Sequence, residues 1–433
     1  MIATLVLPAA GGLPARAAAG ALIWEREAPV GAATFGARVA GAGDVDGDGK
    51  EDVFVSSGTL PYGTVYVLSG ADGSTLRTFI GNLTHAAAAL LQEARPAGDF
   101  DGDGIPDFLL GARASADAIE GEAGYFEVVS GRPECDGLVL SADCEDPMDE
   151  CVLLRVCGDG PGDTFGDRLA IVGDVDSDGV PDVLAGLPGP YLAAPGEARL
   201  YSGADGDLLF SVSGSGAQDN LGYAVAGVGD ITGDGVADFA IGAPGVPKKR
   251  KPMAGEITIY SGATHAVVRT FKGKPYDMVG TSVAGLGLVN ADTVPDIVYG
   301  APGGDRRGVL DAGQAILVSG KNGKKLRKVN GTAAHLFMGM SVVPVGDLDG
   351  DGAGDFATGA SPTGVNGAFG RIGVYLGACG CGVLVYDGPE AHDGTGSSVG
   401  AADVNGDGSD ELVVGMPESA AHPGGIVRVL SLK

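Results

Sequence analysis

The residues of this chain best placed to act together are acids at alternating positions. In the stretch from Asp44 to Asp52, carboxylates stand at positions 1, 3, 5 and 9 (Asp44, Asp46, Asp48 and Asp52), and Gly49 at position 6 lets the backbone fold back. Four carboxylates this close repel one another unless a cation lies between them. Hard oxygen donors gathered around one point suit Ca²⁺, which takes six to eight oxygens at about 2.3–2.6 Å.

The pattern recurs. Asp99, Asp101, Asp103 and Asp107 repeat it, as do Asp174, Asp176, Asp178 and Asp182, and again Asp347, Asp349, Asp351 and Asp355. A further copy, Asp230, Thr232, Asp234 and Asp238, has a hydroxyl at position 3, and the last, Asp403, Asn405 and Asp407, is closed by Asp410 or Glu411, of which Glu411 stands at position 9. Between them, residues 288–296 have lost the first carboxylate (Leu288) and the glycine, keeping Asn290, Asp292 and Asp296. That loop is expected to be weak or empty, leaving about six calcium sites. An EF-hand would need flanking helices and a bidentate Glu at position 12. Position 12 is instead Val55, Leu110, Ala185 and Ile241 in the first four copies, within short apolar runs of β type.

Other chemistry is harder to assemble. Residues 396–400 spell Gly-Ser-Ser-Val-Gly, but a nucleophile elbow needs a strand-to-helix turn, and this stretch aligns with the ordinary strand sequence at 280–285. The five histidines are dispersed among different repeats without ligand spacing. No catalytic set is expected, and the chain is read as leaning away from enzyme function. One basic cluster, Lys248, Lys249, Arg250 and Lys251, stands out, with Arg306 and Arg307 in the matching loop of the next repeat. These are candidate ligand-face residues; a merely solubilising loop is the alternative.

The elements that must position these residues follow from the repeat. First positions of the loops fall at 44, 99, 174, 230, 288, 347 and 403, a period of 55–59 residues with one interval of 75. Each unit reads as four short strands separated by turns: an apolar stretch before the acidic loop, a run ending in Gly-Ala-Pro or a variant, a third run ending in Ser-Gly, and a fourth after a short turn. Regularly spaced short strands of this kind make a propeller blade. The composition agrees, with 78 Gly, 6% aromatics and 44% hydrophobic residues in 433.

The combination of Phe35-Gly36 or Phe165-Gly166, the Asp-x-Asp-x-Asp-Gly-x-x-Asp loop and Gly-Ala-Pro at 242–244 and 300–302 resembles the FG-GAP repeat of integrin alpha-chain propellers and related bacterial extracellular proteins. The resemblance implies an all-β, seven-bladed β-propeller over residues 20–433, with calcium between strands 1 and 2 of a blade. Departures from the pattern are Leu90-Leu91 in repeat 2, Leu221, Val279 and Met338 in repeats 4 to 6, and Gly394-Thr-Gly396 in repeat 7.

The last repeat stops after its third strand, at Ile426–Leu432, while the chain begins with a spare strand at Leu22–Arg26. An open blade would expose an edge, so the two ends are expected to pair. Residues 1–19 read as an export signal or a disordered N-terminus, without the basic start a secretory signal carries, and no later run approaches a membrane span of about 18 apolar residues. Cys135, Cys144, Cys151 and Cys157, in and just after an insertion at 132–150, suggest two disulfides with three connectivities open, while Cys379-Gly-Cys381 fits either a local bridge or two thiols.

The net charge of −28 comes largely from the acidic loops; six bound Ca²⁺ would bring it to about −16, which argues against nucleic acid as a partner. The chain is expected to be a secreted, cell-surface or periplasmic calcium-binding module of adhesion or ligand-binding type, with structural calcium and an extracellular protein or acidic glycan as partner. A polysaccharide lyase or hydrolase, or a lectin, on the same propeller is the alternative.

Overall fold

A computed structural model describes residues 20–58, 63–81, 90–113, 124–140, 148–159, 164–189, 194–248, 252–305, 308–361 and 369–433. The export-signal reading of 1–19, Cys144 and the basic residues Lys249, Arg250, Lys251, Arg306 and Arg307 lie outside them. Within the described residues the strands fall into seven antiparallel sheets of four. Blade 1 is a meander of Val39–Gly43, Asp52–Ser57, Thr64–Leu68 and Thr75–Ile80. Blades 2 to 6 repeat it, starting with the first strands Leu90–Gly98, Arg168–Gly173, Ala224–Gly229, Val283–Gly287 and Met338–Pro344. Blade 7 combines Val399–Ala402, Glu411–Met416 and Ile426–Leu430 with Leu22–Glu27 from the start of the chain. The fold is the expected seven-bladed propeller.

Three observations close the ring. The N-terminal strand pairs antiparallel with the last one, with Trp24 opposite Val429 and Glu27 opposite Ile426. First strands of neighbouring blades touch one another all the way round, including those of blades 7 and 1, so they form the inner wall. Finally, the buried apolar side chains form seven clusters, each drawn from two adjacent blades, and one of them joins Trp24, Phe35 and Val53 to Val413 and Val429. The core therefore lies between blades. Second strands such as Asp52–Ser57, Asp238–Ala243 and Glu411–Met416 are buried at every residue, which is why they lack the apolar–polar alternation of a half-exposed sheet.

The Phe-Gly position has a structural role here. Phe35 bridges Gly425 of blade 7, and Leu221, Val279 and Met338 bridge Gly196, Gly255 and Gly313 of the preceding blades. The sequence departures at these positions thus keep a common backbone contact, and an aliphatic side chain suffices beneath it.

The insertion in blade 2 begins with a short helical turn, Pro133–Cys135. It lies along the outer strand of blade 1: the Gly137 and Ile80 N–H groups donate to the Thr78 and Leu138 carbonyls, and Leu140 N–H donates to the Ile80 carbonyl. It therefore covers a strand edge that would otherwise invite pairing with another chain. Cys135 is bonded to Cys151, fixing the insertion to the start of the blade's fourth strand, and Cys157 is also in a disulfide. The Cys379–Cys381 alternative resolves as a local bridge.

Candidate metal centres

Each acidic loop follows an innermost strand, and its ninth residue opens the buried second strand or, in blade 6, immediately precedes it. Strand 1 of blade 1 stops at Gly43 in a positive-φ conformation (77°), which throws the chain into the loop, and Gly47 and Gly49 (76° and 85°) turn it back. The first acid holds this turn: Asp44 accepts the N–H groups of Gly47 and Asp48 on one oxygen and that of Gly49 on the other, at 2.8–3.0 Å. Asp46 and Asp48 each accept one backbone N–H with one oxygen.

Carboxylate oxygens converge in four loops. One oxygen from each of Asp44, Asp46 and Asp48 lies within 4.8 Å of the others; so do those of Asp99, Asp101 and Asp107, of Asp174, Asp176 and Asp182, and of Asp347, Asp349 and Asp351. Two donors on opposite sides of a calcium ion stand about 4.6–5.2 Å apart, twice the metal–oxygen distance. The spacing and the all-oxygen donor set fit calcium.

The ninth residue does more than offer an oxygen. Asp52 is wholly buried; its Oδ2 accepts the Val45 N–H at 2.8 Å and its Oδ1 accepts the Gly70 N–H at 2.9 Å. The same clasp recurs from Asp107 to Phe100 and Gly131, from Asp182 to Val175 and Gly203, from Asp238 to Ile231 and Gly262, from Asp296 to Val289 and Gly320, and from Asp355 to Leu348 and Gly377. It ties the metal loop to the end of the third strand. The Ser-Gly that ends third strands was the available signal; Gly70 has no room for a side chain, since a Cβ there would sit 2.0 Å from the Glu51 carbonyl. Burial pushes Asp52, Asp182 and Asp355 up to about 6, against the opposing pull of their two backbone N–H donors, and the neighbouring acids add to the rise. A cation would reverse that balance and release protons.

The remaining loops differ. In the degraded loop, Asn290 Nδ2 donates to both oxygens of Asp296 at 3.0 and 2.9 Å, so an amide stands against the clasp carboxylate. In blade 4, Thr232 Oγ lies 3.3 Å from Asp230 Oδ1, so a hydroxyl stands where the Asp44 loop has a carboxylate. In blade 7, Glu411 rather than Asp410 takes the buried clasp position, with Asn405 Nδ2 2.7 Å from its Oε1 and its Oε2 buried without a hydrogen-bond partner. Burial raises Glu411 to about 7, helped by Asp407 and Asp403. Two loops also carry a protein cation that the sequence reading missed: Arg132 bonds Asp101 and Asp103 at 2.6 Å each, and Lys433 Nζ lies 2.8 Å from Asp407 Oδ1. Arg132 belongs to the insertion and Lys433 to the last residue of the chain, both far from their loops in sequence.

Of the ligand-face candidates, Lys248 is described. It follows the second strand of blade 4, at the end of the blade away from the metal loop, and its Nζ donates to the Gly273 carbonyl at 2.8 Å. The serine of the elbow-like string, Ser398, is buried just before an inner strand and accepts the Val39 N–H, which gives it a structural task. Among the described residues no helix is long and apolar enough to cross a membrane.

Comparison with known proteins agrees with this geometry. The FG-GAP repeat profile matches residues 221–260 and 395–430, and the FG-GAP-like repeat profile matches residues 44–110. Integrin alpha-V of Gallus gallus is 32% identical over 233 residues, covering 52% of this chain and 20% of that protein. Integrin alpha-5 of Xenopus laevis is 30% identical over 222 residues, covering 49% of this chain and 20% of that protein. The chain thus spans about a fifth of the length of these relatives. Among solved structures, one titled "Structure of Dos1 propeller" superposes with a TM-score of 0.49 at 12% identity, covering 88% of this chain and 75% of that one. The chain is thus a seven-bladed propeller that carries stretches matching the FG-GAP repeat and is similar over about half its length to integrin alpha chains.

Proposed function

We propose that this chain is an extracellular ligand-binding module of adhesion type, stiffened by calcium in about six loops, that takes an acidic glycan on the face away from those loops. Calcium is structural in this reading: Asp44, Asp46 and Asp48 and their counterparts hold it, and the ninth residue transmits the order of the loop to the blade. The similarity to integrin alpha chains supports the adhesion class.

One observation carries the choice of ligand. Half of the chain's 28 Lys and Arg residues fall within residues 248–328, from the loop after the second strand of blade 4 to the last strand of blade 5, where only six acids fall, although the whole chain carries −28. Positive charge gathered in one sector of an acidic protein selects a polyanion by electrostatic complementarity, and exposed contacts of that kind weaken as salt rises. The test replaces Lys248 to Lys251, Arg306 and Arg307 with serine and compares binding to an acidic polysaccharide at constant calcium. The reading expects weaker binding by the variant and a fall in parental binding with salt. Equal binding by both proteins, or no binding by the parent at low salt, would overturn it.

A further inference from the structure

Residues six places before the first position of each metal loop lie on the inner wall, near the face away from the loops. They join neighbouring blades. Ser282 Oγ donates to the Gly339 carbonyl at 2.9 Å, Ser341 Oγ donates to the Gly396 carbonyl at 3.1 Å, and Ser398, one residue closer to its loop, accepts the Val39 N–H at 3.0 Å. On the arc of blades 1 to 3 the same level carries Arg38, Glu93 and Arg168, with Arg95 two residues beyond Glu93.

Glu93 is 2% exposed, and its carboxylate is taken by Arg38 Nε at 3.3 Å and by Arg95 at 2.5 Å. Arg168 donates from Nε to the Tyr223 carbonyl at 3.0 Å and from Nη1 to the Asp167 carbonyl at 3.2 Å, lies 5.1 Å from the centre of the Tyr223 ring, and meets the Asp167 carboxylate at 3.8 Å. The Nη groups of Arg38 have no protein acceptor among the described residues. Three guanidinium groups thus share two carboxylates, leaving one positive charge on the arc. The crowding is felt: the charge of Arg168, followed by burial, lowers the pKa of Arg38 from its ordinary value. Nothing in folding the blade requires cations here, because the serines of blades 5 to 7 make the same inter-blade contact without charge.

We propose that the arc of Arg38, Glu93, Arg95 and Arg168, on the inner wall near the face away from the metal loops, is an oxyanion site that takes the carboxylate of an acidic peptide segment. Arg95 and Glu93 hold the guanidinium of Arg38 in place, the Tyr223 ring and carbonyl and the Asp167 carbonyl hold that of Arg168, and the Nη groups of Arg38 with Nη2 of Arg168 serve the ligand. Guanidinium forks match the planar carboxylate, and the single surplus charge suits a singly charged group better than a dianion. The site is separate from the basic sector of blades 4 and 5.

The test uses the full chain in calcium buffer, with arginine-selective ¹⁵N labelling and calorimetry. The probes are acetyl-Glu-Glu-Glu-amide, the corresponding Gln peptide, and sodium acetate. The Glu peptide is expected to shift the Nε–H resonances of Arg38 and Arg168, and the Gln peptide to leave them unmoved. Arg38→Gln and Arg168→Gln should each weaken Glu-peptide binding about tenfold, Arg38→Lys should weaken it less, and Lys248→Ser should bind like the parent. Resonances unmoved by about 10 mM Glu peptide would overturn the site, as would undiminished binding by folded Arg38→Gln or Arg168→Gln. Acetate binding without preference for the Glu peptide would show an adventitious ion only, and would overturn it too. Loss of binding in Lys248→Ser with the arginine variants unaffected would assign the peptide to the basic sector instead.

Discussion

Trp24 is the only tryptophan of the chain, and it sits at the ring closure. Its side chain is 8% exposed and packs with Phe35, Val39, Val53, Val413 and Val429, residues of blades 1 and 7. Its Nε1–H donates to the Gly70 carbonyl at 2.7 Å, while Gly73, at φ 74°, leaves the space its ring occupies: a Cβ there would lie 2.9 Å from the ring. Trp24→Ala removes the largest side chain joining the two ends of the chain. Large-to-small changes of this kind in a core cost about 3–5 kcal/mol. Trp24→Phe keeps most of the apolar contact but leaves the Gly70 carbonyl unpaired, which costs about 1–3 kcal/mol. Urea unfolding in calcium, followed by circular dichroism for all variants and by fluorescence for the parent, measures both. The Ala variant should lose more stability than the Phe variant, and the parental fluorescence should redden no later than the β-sheet signal is lost. A loss below about 0.5 kcal/mol for Trp24→Ala would refute the closure as a source of stability.

Four further outcomes are expected. Asp176→Ala should reduce bound calcium by about one ion in elemental analysis, whereas Asp292→Ala, in the loop where Asn290 faces the clasp, should change it little; equal losses would contradict the distinction between the loops. Deleting residues 20–28 along with everything before them should give an aggregating protein, because the edge strand Ile426–Leu430 loses its partner, and monodisperse behaviour in gel filtration would oppose this. Arg132→Ala should tighten calcium binding in blade 2, since the guanidinium competes for Asp101 and Asp103, and an unchanged or weaker affinity in calorimetry would count against that competition. In chelator, the chain should melt higher at pH 5 than at pH 7: Asp52, Asp182 and Asp355, raised to about 6, and Glu127, raised to about 7, all chiefly by burial, bind more protons folded than unfolded. Their contribution is fully present below about pH 4 and is lost as pH rises through 6 to 7. A lower melting temperature at pH 5 would show that other groups dominate.

Much of the architecture was legible because it is periodic. Spacing of the acids placed seven loops, short apolar runs between turn residues marked four strands per unit, and the incomplete last repeat pointed to Leu22–Arg26 as the missing strand. The site was legible where its chemistry is local, as in the Asp44 loop. What escaped was set by contacts between distant residues. Asp52 looks like a fourth ligand in the string, yet the fold presents Gly70 and Val45 N–H groups to it and makes it a clasp. Arg132 on Asp101 and Asp103, and Lys433 on Asp407, depend on where an insertion and a chain end return in space. Arg38, Glu93 and Arg168 lie 55 and 75 residues apart in sequence, and only the packing of successive blades sets their positions side by side.

The central claim is that the acidic loops hold calcium and that this calcium stiffens the ring. Its most direct test is the melting temperature of the chain at about 1 mM free calcium and in excess chelator, with bound calcium counted by elemental analysis in the first state. For a Kd near 10⁻⁴ M each site contributes about 1.4 kcal/mol, so even the four loops with converging carboxylates supply about 6 kcal/mol. With an unfolding entropy of about 2.1 cal/mol/K per residue, that corresponds to about 6 °C for a chain of this length. The account predicts four to six bound ions and a melting temperature lower by about 6 °C or more in chelator. Superimposable melting curves with no calcium retained at 1 mM would contradict it.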